Sequence, residues 1–138
     1  MSSITEIAAI FFEACERGRG WDVCQAYCTS HASFSAQAEP LTDVHTLQGY
    51  TEWMKGLLGF MPDGRYAIKS FAIDVERKSV CAYGVFSATH TGEGGPCPPT
   101  GKSTITDYVY VMHFTGDKIS HMTKIWNAGM AMRELGWT

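Results

Sequence analysis

Four polar residues sit where acid–base chemistry could be done. Asp107 lies between Thr106 and Tyr108, inside a run, 103–114, that is otherwise largely β-branched and aromatic. A lone carboxylate is expensive to bury unless it is paired. Two readings therefore stand: a general base facing an apolar interior, or an aspartate on the outer side of its strand. His90 ends the segment 80–90 beside a glycine-rich stretch. Its imidazole either lines the mouth of a cavity or bonds loop backbone. Asn127 ends the segment 118–127 and can donate a hydrogen bond to a carbonyl or hydroxyl, or bond backbone. His121 lies near a turn, either facing a ligand or holding structure, and His113 beside the same turn reads as structural. Asp107 within reach of His90 would form an acid–base dyad, the carboxylate orienting the imidazole and raising its basicity. No Gly-x-Ser-x-Gly elbow accompanies them, so a nucleophilic serine triad is not signalled.

The elements that position these groups follow from periodicity. Residues 103–114 and 118–127 read as two long strands joined by Thr115-Gly116-Asp117, a turn whose glycine and aspartate tolerate left-handed backbone angles. The first is apolar on both faces, which suits a central strand. In the second, Ile119, His121, Thr123, Ile125 and Asn127 share one face and Ser120, Met122, Lys124 and Trp126 the other. Placing the polar set inward leaves Met122 and Trp126 outside, where they would need cover. Upstream, 66–75 and 80–90 form a hairpin about Glu76-Arg77-Lys78, and 92–101, rich in Gly and Pro, is a loop.

The first half of the chain reads as helical. Ser3 and Glu6 form a capping box ahead of Ile4, Ile7, Ala8, Phe11, Ala14 and Cys15 at helical spacing, ending at Gly18-Arg19-Gly20. A short second helix carries Trp21, Cys24, Tyr27 and Cys28. Residues 33–37 are a short strand ended by Glu39-Pro40. The third helix has the stripe Leu47, Tyr50, Met54, Leu57, Leu58 and Met61, starts at Asp43 or Thr46, and stops at Pro62-Asp63-Gly64. A short helical tail covers 130–135. Helices followed by an antiparallel run indicate an α+β domain, here a single one over 1–138. A curved sheet around the third helix would form a cone with an apolar interior. Tyr27, Tyr50, Trp53 and Phe34, together with His121, are the candidates for lining a ligand site there, the tyrosines because a buried phenol can donate to an oxyanion.

Bulk properties exclude several classes. The 138 residues are 45% hydrophobic and 18% charged, as in a globular domain. Net charge is −3 and the 11 Lys and Arg are scattered, so nucleic acid is not an expected partner. No apolar run is long enough to span a bilayer. The start, Met1-Ser2-Ser3-Ile4, has neither the basic nor the apolar region of a leader. With five cysteines, an odd number, free thiols in a reducing, cytoplasmic setting are expected. Cys24 and Cys28, four apart, read as buried packing, since no matching His or Cys pair lies nearby to complete a metal site.

In this order, Pro62-Asp63, Thr89-His90-Thr91-Gly92, Pro99-Thr100-Gly101-Lys102, Gly116-Asp117-Lys118-Ile119 and Ile125-Trp126-Asn127 resemble the SnoaL-like branch of the NTF2-like superfamily. That branch includes polyketide ester cyclases, and its distant relatives include ketosteroid isomerase, scytalone dehydratase and limonene epoxide hydrolase. The resemblance implies a cone-shaped α+β barrel, three N-terminal helices packed in a curved, mostly antiparallel sheet. It implies acid–base chemistry in the cone without metal or organic cofactor, on a small apolar polyketide-like or steroid-like compound, by a cyclase, isomerase or dehydratase. It also implies a homodimer through the outer sheet face, where Met122 and Trp126 would sit. Asp107 or His90 would serve as base, with Asn127 or a tyrosine as donor. The family position matching Asn127 is typically an aspartate that shuttles protons, which asparagine cannot do. That departure favours the alternative, a non-catalytic ligand-binding or dimerisation module on the same scaffold.

Overall fold

The computed structural model describes residues 3–138. Met1 and Ser2, half of the segment read for a leader, lie outside the described residues. Helix α1 spans Ile4–Glu16 and is capped by Ser3, whose Oγ accepts from the Glu6 amide at 3.2 Å. It buries Phe11, Phe12, Cys15 and, at the end of the same stripe, Glu16. After the Gly18 and Gly20 break, both at positive φ, α2 (Trp21–Cys24) runs into a 3-10 turn, Gln25–Tyr27. Strand β1 then runs from Cys28 to Gln37, twice the length expected from the weak alternation of 33–37. Cys24 and Cys28 are thus split between a helix and a strand, and both are buried. Helix α3 (Leu47–Phe60) starts after Thr46, one of the two starts the sequence offered. Thr46 Oγ1 accepts from the Gly49 amide at 3.0 Å.

Four long strands follow: β2 (Arg65–Asp74), β3 (Ser79–Thr89), β4 (Ser103–Thr115) and β5 (Lys118–Trp126), then the short helix α4 (Ala128–Glu134). The sheet order is β1-β5-β4-β3-β2; β1 runs parallel to β5 and every other pair is antiparallel. This is the expected α+β architecture, mostly antiparallel and with the expected strand between α2 and α3. The one difference is that the five-stranded sheet does not close into a barrel.

The inner face is where sequence parity fails. On β4 it carries Thr104, Thr106, Tyr108, Tyr110, Met112 and Phe114, all buried. On β5 it carries Ile119, Met122, Lys124 and Trp126. Ile119 pairs with Phe114 while His121 pairs with His113, so Ser120 is an extra residue. Such a bulge breaks strict alternation and lets Ile119 and Met122 both point inward. From there on the inner set is Met122, Lys124 and Trp126. The expected outer residues are inside, and the expected inner residues His121 and Asn127 are not.

Gly84 on β3 makes room for one of these inner side chains. A Cβ there would lie 3.1 Å from the Tyr108 ring. That ring stacks on Phe12, with centroids 6.1 Å apart, and has little freedom to retreat. Gly84→Val should therefore destabilise the fold by about 1–3 kcal/mol through overpacking, read as a lowered urea midpoint at unchanged slope.

Candidate active site

The inner face and the helices enclose a set of ionisable groups. Lys124 on β5 is 5% exposed and Glu16 at the end of α1 is 3% exposed. Lys55, Lys69, Lys78, Lys102 and Lys118 are all exposed by contrast. Lys124 Nζ donates to the hydroxyl of Tyr50 on α3 at 2.9 Å. The Tyr50 hydroxyl also forms a very short hydrogen bond with Tyr110 on β4, in which either hydroxyl can donate. The ammonium is caged by aromatic rings: Nζ lies 4.6 Å from the Trp126 centroid, 5.1 Å from Tyr50, 5.4 Å from Trp53 and 5.5 Å from Tyr108. Such ring faces attract a cation, but they replace water poorly.

The electrostatics follow from that enclosure. Burial pushes the Lys124 amine down to about 8, although Glu16 and Cys15 pull it back up. Burial raises the Glu16 carboxyl, and the charge of Lys124 offsets part of this. The phenols of Tyr50 and Tyr110 are likewise raised by burial. Glu16 Oε2 and the Tyr108 hydroxyl are buried and make no hydrogen bond. Both residues border one interior void of about 10 Å³ together with Lys124, Met54, Leu57, Phe86 and Trp126, a space no larger than a water needs. Polar groups left unmatched inside a core are costly and call for an explanation.

A second, larger space lies beside it. A pocket of about 460 Å³ is lined by Pro40, Trp53, Leu57, Phe60, Met132 and Trp137, with Gly94 and Pro96 at its edge. It is apolar and of a size suited to a small ligand. Leu57 lines both spaces, and Trp53 lines the open pocket while its ring lies 5.4 Å from Lys124 Nζ, so one layer of side chains separates the pocket from the amine.

The residues proposed from sequence are distributed differently. Asp107 points outward from β4 and is exposed, its Oδ2 accepting from Tyr83 Oη at 3.1 Å. Its strand partners show why: inward positions are taken by Thr106 and Tyr108, and a free carboxylate is cheapest in water. His90 is fully buried under the 92–101 loop, where its Nδ1 accepts from Trp137 Nε1 at 3.0 Å and its ring meets Phe60 edge-on. The Asp107–His90 dyad is not formed. Asn127 caps α4, its Oδ1 accepting from the Met130 amide at 3.1 Å. His121 is on the outer side of β5 with Nδ1 2.7 Å from Ser33 Oγ. Met122 and Trp126 point inward, so they do not form an outer interface. Tyr27 is half-buried in the 3-10 turn. Phe34, Tyr50 and Trp53 do come together: Phe34 stacks on Tyr50 at 4.5 Å and Tyr50 on Trp53 at 6.0 Å.

Glu16, Lys124, Tyr108 and Tyr110 were absent from the sequence-derived set. A signal was there. Glu16 stands one turn beyond Phe12 on an apolar stripe, and Lys124 alternates with Met122 and Trp126.

Residues 6–135 match the family described as SnoaL-like polyketide cyclase. The chain belongs to that family. No curated protein matches it. Among solved structures it resembles IdmH of Streptomyces antibioticus, provisionally assigned as a polyketide cyclase, with a TM-score of 0.78, 17% identity, and coverage of 98% of this chain and 99% of that one. A protein of Jannaschia sp. CCS1, provisionally assigned as a SnoaL-like polyketide cyclase, gives 0.80 at 12% identity, covering 98% and 92%. AclR of Streptomyces galilaeus, provisionally assigned as a hydroxylase, gives 0.76 at 20% identity, covering 99% and 84%. These likenesses fix the SnoaL-like fold, and the fold alone does not select a reaction. Among the described residues no helix is long and apolar enough to cross a membrane.

The lysine gives a pH signature of known sign. Its folded pKa of about 8 lies below the ordinary 10.5. Between those values the unfolded chain binds more protons than the folded one, so this group makes the protein more stable as pH rises through that window. Below pH 8 it is a constant burden of roughly 3 kcal/mol. Lys124→Met should equal or exceed the parent in stability near pH 7, as hydrophobic replacements of buried charges often do. The advantage should shrink between about pH 8 and 10.5. Urea unfolding of both proteins across that range measures it.

Proposed function

We propose that this SnoaL-like protein is an acid–base enzyme that works with its own side chains on a small apolar carbonyl compound of polyketide-like or steroid-like shape. The observation that carries this reading is the buried Lys124 amine, hydrogen-bonded through Tyr50 to Tyr110 beside an unmatched Glu16 carboxyl. An amine with a pKa near 8 can give and take protons near neutral pH. A carboxyl raised by burial is suited to act as an acid. The Tyr50–Tyr110 pair supplies O–H groups for a developing enolate oxygen. The apolar pocket beyond Trp53 would hold the body of the substrate and exclude water from the reacting end. The proposed reaction is removal of a proton next to a carbonyl, the step that a cyclase or an isomerase begins with.

The same scaffold used only for binding is the second reading. Two observations favour it: the void beside Lys124 is small, and Asn127 is spent on capping a helix.

Deuterium uptake at the α-carbon of 2-tetralone in heavy water, followed by NMR, separates the two. Catalysis predicts exchange faster than buffer, a loss of at least about 100-fold in Lys124→Met, and a loss of about 10- to 100-fold in Tyr50→Phe. Asp107→Asn should leave the rate unchanged. If tetralone binds but exchanges at the buffer rate, the binding reading stands and the enzymatic one fails.

A further inference from the structure

We infer that Lys124 is a covalent nucleophile, forming an iminium with a ketone or aldehyde whose apolar body occupies the pocket behind Trp53. This rests on the carbonyl-substrate reading above and deepens it. It narrows the substrate class to compounds with an accessible ketone or aldehyde carbonyl bearing an α-hydrogen.

Three features of the geometry point to it. The first is the surroundings of the amine. The Trp126, Tyr50, Trp53, Tyr108 and Tyr110 rings lie within 6 Å of Nζ, and no carboxylate pairs with it at salt-bridge distance among the described residues. A lysine desolvated in this way, rather than tied into an ion pair, is activated as a nucleophile. Its single polar contact among the described residues is Tyr50 Oη, at 2.9 Å. The second is the position of Glu16, which borders the same void as Lys124 with Oε2 free of any partner. The third is the wall. Trp53 is half-buried, lines the 460 Å³ pocket, and has its ring 5.4 Å from Nζ. A turn of that one side chain would bring the pocket's contents to the amine.

The steps balance without any further reactant. The neutral amine adds to the carbonyl carbon. A C–N bond forms, and the C=O π pair moves to oxygen. One N–H proton leaves the nitrogen and one proton reaches the oxygen, giving a carbinolamine, with the Tyr50–Tyr110 hydroxyls in place to pass it. The Glu16 carboxylic acid then protonates the carbinolamine hydroxyl. The C–O bond breaks, water departs, and the nitrogen lone pair closes the C=N bond. One carbonyl, one amine and one proton have become one iminium and one water. The Glu16 carboxylate left behind takes a proton from the adjacent carbon, and the C–H pair moves into an enamine. Protonation at carbon and addition of water reverse the sequence and release the amine.

The test uses 2,4-pentanedione, a small diketone that condenses with unprotonated amines to a stable enaminone absorbing in the near ultraviolet. Peptide mapping separates reaction at Lys124 from reaction at the exposed lysines. The expected result is one adduct per chain, weighing the diketone less water, mapped by peptide mass spectrometry to Lys124. It should be absent from Lys124→Arg and form at least about 10-fold faster in Trp53→Ala, which removes the wall. Cyanoborohydride with 2-tetralone should trap the same residue. If Trp53→Ala, still folded by circular dichroism, gives no Lys124 adduct with either reagent, covalent catalysis is overturned. Persistent tetralone exchange in that case leaves Lys124 as a proton carrier only. An adduct without exchange supports the nucleophile and removes the proton-transfer reading instead.

Discussion

The central constraint is the enclosure of one ammonium group by aromatic rings. Moving a charge from water into such a place costs several kcal/mol even after relaxation. The protein recovers part of that through ring faces around Nζ and one hydrogen bond to Tyr50, and leaves Glu16 Oε2 unmatched nearby. Most of the interior can be described in relation to that site. Helix α1 ends with Glu16 against it, α3 supplies Tyr50 and Trp53, and β4 supplies Tyr108 and Tyr110. The bulge at Ser120 sets the facing of β5 that carries Lys124 inward. A chain selected for stability alone would be better served by Met at this position. Sites that keep a costly group in place are where stability and activity trade against each other.

Much of the scaffold was legible because it depends on local rules. The Thr46 cap, the stop after Met61, the Gly116 turn and both hairpins follow from capping, helix-breaking and turn chemistry, which act over a few residues. The length of β1 was not: its second half, Ser33 to Gln37, is the part that pairs in register with β5, whereas in the first half only Cys28 pairs, the register shifts, and buried and exposed residues do not alternate. Facing was harder still. Parity assigns two faces to a strand but does not say which one is interior, and one extra residue at Ser120 breaks the alternation.

The same ambiguity explains the site. Searching the strands for residues that look chemical selected Asp107, His121 and Asn127, which are tolerated because they face water, the outer sheet or a helix start. Lys124 looked like an ordinary outward lysine between Met122 and Trp126. Glu16 follows the last apolar residue of its helix, next to the Gly18 break. Only the packing of α1 against the sheet shows that both are inside. Phe34, Tyr50 and Trp53 were found because large aromatics seldom have anywhere else to go than the core.

The most direct measurement is the ionisation of Lys124 itself. Lysine labelled with ¹⁵N or ¹³C at the side-chain end can be titrated by NMR in the folded protein. One resonance is expected with a midpoint near 8, and it should be absent from Lys124→Met. If the resonance that Lys124→Met removes titrates above pH 10, as an amine in water does, the interior site described here does not exist.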